Sequence, residues 1–134
     1  MTPADSAAQA WGGRVVRLLR DRENHVFEMA LPQGRAALRL HRAGYQAPAA
    51  IRSELWWCAE LARAGLPVPA ALTALDGAVL VALPDGRHAS AIAWIEGDAL
   101  GEAAKPFDRP LAQVLDLYHA LGALLARMHK ATPT

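Results

Sequence analysis

The strongest constraint on the fold is a series of three short segments with alternating side chains. They are separated by two turn-forming stretches; the segments are 14–20, 25–31 and 35–41, and the turns are 21–24 and 32–34. Polar clusters and Pro-x-Gly tripeptides are typical of hairpin connections. Because side chains alternate across a strand, Leu38 and Leu40 are expected on one face of the third segment. Arg39 and His41 are then on the opposite face, and the whole stretch predicts an antiparallel meander.

A helix is predicted directly after the meander. Pro48 suits the first turn of a helix, the periodic segment runs over 49–64, and Gly65 ends it. Glu54 interrupts the pattern because it lies on the flank of the apolar stripe. A buried carboxylate is costly unless it is paired. We therefore expect Glu54 to have a cationic partner inside the fold.

The remaining segments complete an α+β pattern. A short helix is expected over 4–11, a hairpin from 71–75 and 79–83, a strand over 88–95, a short helical segment before Pro106, and a final helix over 111–130. The final helix has one apolar face, formed by Val114, Leu117, Tyr118, Leu121, Leu124, Leu125 and Met128. This order predicts a five-stranded, mostly antiparallel sheet with one long helix, plus a C-terminal helix.

Composition excludes several classes of function. The chain has 134 residues, enough for one domain, and its 14 Lys+Arg against 13 Asp+Glu give a net charge of +1. This balance argues against nucleic acid or an anionic membrane as a partner. The single cysteine, Cys58, excludes an internal disulfide. The sequence shows neither the pattern of a signal peptide nor an apolar run long enough to span a membrane. We therefore expect a cytoplasmic protein. The five histidines lack metal-ligand spacing.

Short motifs follow one another in an order that resembles a known family. They are residues 22–29 (RENHVFEM), 37–40 (ALRL), Glu54 on a helix that ends in 64–69 (AGLPVP), 93–97 (AWIEG) and 121–129 (LGALLARMH). Together they resemble the aminoglycoside phosphotransferase family, which includes type II homoserine kinase-like enzymes with a protein-kinase-like fold. In this resemblance, 93–97 is similar to the hinge between the lobes, and 121–129 to the first long helix of the C-terminal lobe.

The resemblance implies a site for ATP with Mg²⁺. The turn at 22–25 would lie over the phosphates, Arg39 would hold the α- and β-phosphates, and Glu54 would hold Arg39. The family often has lysine where this chain has Arg39. Backbone groups at Trp94 and Ile95 would bind adenine, with Val26, Leu38 and Val68 as its walls. The implied nucleotide-binding residues are Asn24, His25, Val26, Leu38, Arg39, Glu54, Trp94 and Ile95.

Several of these residues also have purely structural interpretations. Arg39 and Glu54 can form an ion pair that only joins sheet to helix, and Asn24 favours turns for its own hydrogen-bonding reasons. Cys58 is expected to be an inert core thiol. Trp56 is on the polar face of its helix, and we expect the segment around Trp11 to cover it; exposure at a contact surface is the alternative.

The resemblance also implies an incomplete catalytic apparatus. The family's catalytic aspartate and magnesium ligands come from a His-x-Asp…Asn loop and a following metal-binding aspartate, and no histidine of this chain begins a His-x-Asp motif. The expected division is 1–13 as an N-terminal extension, 14–95 as the kinase-like N-terminal lobe, 96–110 as hinge and linker, and 111–134 as the first helix of an otherwise absent C-terminal lobe. We expect an ATP-binding lobe without catalytic or metal-binding residues, truncated before the catalytic loop and unable to transfer phosphate alone. The alternative is a regulatory or dimerisation module that self-associates through the 111–130 helix.

Overall fold

The fold is described from a computed structural model, which covers residues 1–98 and 104–133. The elements in chain order are α1 (Pro3–Gln9), β1 (Arg14–Asp21), β2 (Asn24–Leu31), β3 (Gly34–His41), α2 (Pro48–Arg63), β4 (Ala71–Leu72), β5 (Val81–Ala82), β6 (His88–Ala93) and α3 (Leu111–Ala131). The short helical segment predicted before Pro106 falls mostly on residues 99–103, which lie outside the described ranges.

All the strands belong to one antiparallel sheet. Its order is β1-β2-β3-β6-β4, and β5 also pairs with β6. The sheet is five strands wide but contains six strands, because the two-residue strands β4 and β5 share one edge of β6. The predicted α+β class with a mostly antiparallel sheet is confirmed.

The predicted pairing of 71–75 with 79–83 as a hairpin is wrong. A tight turn does form, with the Ala78 carbonyl accepting from the Ala74 N–H at 2.7 Å and Asp76 accepting from the Ala78 N–H at 2.9 Å. Beyond this turn, however, the two arms pair with β6 and not with each other. The edge of β6 supplies partners for backbone groups that would otherwise be unsatisfied.

The side of the sheet that faces α1 is apolar. Directly opposed residues of neighbouring strands share a face, so Leu38 lies beside Phe27 of β2 and Ala91 of β6. This face packs against α1 and the residues after it in a cluster that includes Ala7, Met29, Leu40 and Trp11. Segment 1–13 therefore covers one side of the sheet, and Trp11 is fixed there by a 2.8 Å hydrogen bond from Nε1 to the Leu72 carbonyl.

Because Trp11 packs on the α1 side, it does not cover Trp56. The Trp56 side chain is 55% exposed, so the expected cover from the N-terminal segment is wrong. The two tryptophans are on elements that pack on opposite sides of the sheet.

The other side of the sheet carries α2. Pro48 is in the first turn of this helix, as predicted, and Gly65 follows its C-terminal end with a φ of 91°, a conformation that glycine adopts without strain. Ile51 and Leu55 are buried against Leu80 and the edge of the sheet. This packing determines which residues of α2 face β3.

The last helix, α3, presents a largely exposed apolar face. Val114 is its buried residue, whereas large apolar side chains along it are exposed: Leu111, Leu115, Tyr118, Leu121 and Leu125. Its C-terminal end contacts α2, where Trp57 Nε1 donates to Thr132 Oγ1 at 3.1 Å. No helix within the described ranges combines the length and apolarity needed to cross a membrane.

Replacement of Leu38 by alanine is predicted to destabilise the protein strongly. Leu38 is 0% exposed within the cluster on the α1 side, so Leu38→Ala leaves a cavity and should lower the free energy of unfolding by about 2–5 kcal/mol. Urea denaturation followed by circular dichroism measures this loss. The control is Leu18→Ala on β1, where the side chain is 51% exposed. Equal losses in both variants would contradict the burial described.

Candidate functional site

An ion pair joins the centre of the sheet to α2. Arg39 of β3 donates from Nη1 to Oε1 of Glu54 at 2.8 Å. The Arg39 side chain is mostly buried and Glu54 is partly exposed at the edge of the site. The expectation that Glu54 has a cationic partner inside the fold is therefore confirmed.

Two buried polar atoms, one in this ion pair and one on the same side of the sheet, lack partners among the described residues. Arg39 Nε and Asn24 Oδ1 are both buried without a hydrogen bond in the described part of the chain. The register places Val26 opposite Arg39 and Asn24 opposite His41, so all four residues share the α2 side. Buried polar groups are nearly always satisfied, and exceptions often mark a place where a ligand or water binds. The α2 side at Arg39 is therefore our candidate site.

A second part of the α2 side of the sheet lies where β6 ends. The Arg35 guanidinium is 4.9 Å from the centre of the Trp94 ring, a cation–π distance, and Arg35 also pairs with Glu96. Trp94 Nε1 is buried without a partner among the described residues, and Ile95 is exposed. Arg35 and Arg39 are four residues apart on one strand and thus share a face. The segment at Trp94 therefore borders the same side of the sheet as Arg39.

Two predicted residues lie on the opposite side of the sheet. Leu38 is fully buried in the cluster with α1, so it does not share a face with Arg39, and we withdraw it as a wall of the adenine site. The physical reason is strand alternation, which separates neighbours in sequence to opposite faces. His25 is opposite Leu40, and its Nε2 lies 2.7 Å from Asp21 Oδ1. Its side chain is thus held at the β1–β2 turn, away from Glu54.

Strand alternation also identifies residues that the motif comparison omitted. Ala37 and His41 flank Arg39 on the α2 side, with Glu28 opposite Ala37 and Ser90 opposite Arg39. Ala37 takes the place in the site that Leu38 was expected to fill. The signal was available in the sequence, because residues two apart on a strand share a face.

His41 forms a buried hydrogen bond with β6. Its Nε2 lies 2.8 Å from Ser90 Oγ, and its Nδ1 has no partner in the described part of the chain. Burial, together with the positive charge of Arg39, lowers the pKa of His41 to about 4. The ring is therefore neutral at neutral pH.

The site has no arrangement for metal binding among the described residues. They contain no group of three or more His, Cys, Asp or Glu side chains able to hold a metal ion. Cys58, one turn beyond Glu54, is a partly buried thiol whose pKa is raised by burial and by the Glu54 carboxylate. The guanidinium of Arg39 has the chemistry of a phosphate donor, whereas the described residues of this site do not fit Mg²⁺.

These features define a class of protein. An antiparallel sheet, with a cation on its third strand paired to a glutamate of the following helix, is characteristic of the N-terminal lobe of a protein-kinase-like fold. The sequence model of the phosphotransferase enzyme family (APH) matches residues 14–134. The chain belongs to this phosphotransferase family. A search of curated proteins finds no match.

Solved structures similar to this chain include kinases of small molecules. A structure titled as amicoumacin kinase hAmiN in complex with AMP-PNP, Ca²⁺ and Ami has a TM-score of 0.77, with 24% identity over 94% of this chain and 37% of that one. A microcompartment-associated aminopropanol kinase has a TM-score of 0.72, with 26% identity over 95% of this chain and 39% of that one. The chain therefore spans about two fifths of these kinases.

A protein kinase is also similar in fold. The PknI kinase domain of M. tuberculosis has a TM-score of 0.58 and 20% identity, with 89% of this chain and 48% of that chain covered. This likeness supports the protein-kinase-like fold alone.

The pKa of His41 predicts a pH dependence of stability. The unfolded state, with an ordinary pKa near 6.5, binds more protons than the folded state between pH 6.5 and about 4. The free energy of unfolding should therefore fall as the pH falls through this window, by on the order of 2 kcal/mol. Denaturation at stepped pH measures this slope. His41→Gln should flatten it, whereas exposed His119→Gln should not, and an unchanged slope in His41→Gln would refute the assignment.

Proposed function

We propose that this chain is the ATP-binding lobe of a small-molecule phosphotransferase. The observation that carries the proposal is the Arg39–Glu54 ion pair, which leaves Arg39 Nε buried and without a partner among the described residues. A guanidinium has five N–H donors in a planar fork, so an arginine bound to a carboxylate through Nη1 keeps donors for a second acceptor. A phosphate oxygen is the acceptor that best matches this fork.

Each part of the site has a role in this proposal. Glu54 orients Arg39 from α2, and Arg39 holds the α- and β-phosphates electrostatically. The β1–β2 turn at Arg22–Glu23 covers the phosphates with backbone N–H groups, with Asn24 at its end. Backbone groups at Trp94 and Ile95 bind adenine, and Val26 and Val68 with Ala37 form its walls. Mg²⁺ would neutralise phosphate charge when bound with the nucleotide, and the described residues contain no group of three or more side chains able to hold it.

The solved kinases support a small-molecule acceptor. The amicoumacin kinase structure contains AMP-PNP and Ca²⁺, which is consistent with nucleotide and divalent-metal use in this fold. The names of that protein and of the aminopropanol kinase both specify small acceptors. The residues of this chain select no particular acceptor. A nucleotide-binding lobe with one cysteine also fits a cytoplasmic location, which stays a prediction.

Binding of ATP should depend on Arg39. Isothermal titration of the 134-residue chain with AMP-PNP in the presence of Mg²⁺ is expected to show saturable binding. Arg39→Ala should weaken it by at least about tenfold, because a charge-assisted hydrogen bond contributes about 1.5–3 kcal/mol. Glu54→Gln should weaken it less, since it alters only the orientation of Arg39.

Matched controls come from a second ion pair on α2, which lies away from the Arg39 site. Arg63 and Glu60 form an ion pair on the outer surface of α2, so Arg63→Ala and Glu60→Gln repeat the two substitutions away from the site. Binding should be unchanged in both, with circular dichroism confirming that every variant is folded. Absence of binding in the wild-type chain, or equal loss in Arg63→Ala, would overturn the proposal.

The exposed face of α3 favours a second candidate function, a regulatory or dimerisation module. Phe107 packs edge-on against Tyr118 with ring centres 6.2 Å apart, and these two with Val114, Leu117 and Leu121 line a shallow apolar groove. Exposed apolar strips of this kind commonly mediate association. This function requires association of the chain and no nucleotide.

Sedimentation velocity separates the two candidates. A module of the second kind should form a dimer at micromolar concentration that Leu121→Glu disrupts, because a buried charge at the interface is costly. Leu75→Glu is the control, since Leu75 is a leucine exposed away from α3. A monomer at all concentrations, together with Arg39-dependent AMP-PNP binding, leaves the first candidate alone.

A further inference from the structure

A cleft separate from the Arg39 site lies at the N-terminal end of α2. Its volume is about 330 Å³, and it is bounded by the loop that joins β3 to α2 and by the turn before β6. The residues that line it are His41, Arg42, Ala43, Gly44, Gln46, Ala47, Pro48, Ile51, Gly86, Arg87 and His88. Neither Arg39 nor Glu54 is among them, so the cleft lies beside the Arg39–Glu54 pair and shares His41 with that side of the sheet.

Among the described residues that line the cleft, every ionisable side chain is basic or can become so. These are Arg42, Arg87, His41 and His88, and none of the described lining residues is Asp or Glu. Arg87 is partly neutralised by Asp85, which its Nη2 contacts at 2.8 Å. Arg42 forms no ion pair with the rest of the described chain, and its charge remains available at the rim. The cleft therefore has the electrostatic character of an anion site.

His41, one of the residues that line the cleft, has a buried nitrogen without a partner among the described residues. His41 is 3% exposed, and its Nδ1 has no partner in the described part of the chain. When the Ser90 hydroxyl donates to Nε2, the ring proton is on Nδ1, which can then donate to an oxyanion. A buried donor of this kind is costly without an acceptor.

The start of α2 adds a further donor surface. Its N-cap residue, Ala47, has no side chain able to cap the helix, and the first turn contains no acidic residue. Pro48 has no N–H and the Ala50 N–H donates to the Ala47 carbonyl at 3.0 Å, which leaves the Ala49 N–H as the donor of the first turn without a partner in the helix. The helix dipole favours negative charge there. Ala47 and Pro48 line the cleft, so this uncapped end borders it. The amide of Gln46 supplies another neutral donor.

From these observations we propose that the cleft binds a phosphate dianion, either free or at the end of a small organic molecule. Arg42 and the start of α2 supply the positive field, and His41 supplies a buried donor. The volume exceeds that of one phosphate, which leaves room for a small organic group. The site is distinct from the Arg39–Glu54 pair, because neither of those residues lines the cleft.

The test is an NMR titration of the ¹⁵N-labelled chain with inorganic phosphate and, separately, with glycerol 3-phosphate. Saturable shifts are expected at the His41 ring nitrogens and at the Ala49 amide, with a dissociation constant of about 1 mM or tighter. Tighter binding of glycerol 3-phosphate would indicate that the phosphate is carried on an organic group. Sodium chloride at the same ionic strength is the control for non-specific screening.

Substitutions of single arginines test whether phosphate binds in the cleft. Arg42→Gln should weaken phosphate binding by about tenfold, whereas Arg52→Gln, an exposed arginine of α2 outside the cleft, should not change it. Arg39→Ala should keep phosphate binding while it loses AMP-PNP, which separates failure here from failure of the nucleotide proposal. Linear shifts shared with chloride, or equal effects of Arg42→Gln and Arg52→Gln, would overturn the proposal.

Discussion

The alternation of side chains along β3 is the constraint on which both sides of the sheet depend. β3 is a central strand, paired with β2 on one edge and β6 on the other, so its register fixes the faces of three strands at once. A shift of one residue would bring Arg39 into the apolar cluster beneath α1 and expose Leu38. The transfer of a charge into that cluster is far more costly than the loss of any single contact, so one register is strongly preferred.

The Arg39–Glu54 pair depends on this register and is incomplete as a purely structural device. A buried ion pair contributes to stability only when its remaining donors and acceptors are also satisfied. Here Arg39 Nε stays unpartnered among the described residues, as does Asn24 Oδ1 on the same side. If the only role of the pair were to join the sheet to the helix, apolar residues of similar volume would stabilise that contact equally well. The unsatisfied donor is what favours a ligand over a structural role.

The sequence predicted the elements whose signals are local. Turn residues at 21–24 and 32–34 and the period of side chains at Ile51 and Leu55 identify β1 to β3 and α2 within a residue or two. The predictions that were wrong concern how elements are placed relative to one another in the tertiary structure. The pairing of β4 and β5 depends on which strand edge is free, and the exposure of Trp56 depends on the side chosen by α1. Neither is encoded in a local pattern. The wrong prediction for Leu38 is of a different kind, because strand alternation alone predicts that its side chain faces away from Arg39.

α2 links two of the regions in which the described residues have unsatisfied donors, those at Arg39 and at His41. Its N-terminal end borders the basic cleft beside His41, and Glu54, in its second turn, contacts Arg39. His41 and Arg39 are two residues apart on one face of β3, which separates them by only about 7 Å. An anion bound at either place therefore acts on the same helix and the same strand. If one anion displaces α2 and so changes the affinity for the other, thermodynamic linkage requires the second anion to change the affinity for the first by the same factor.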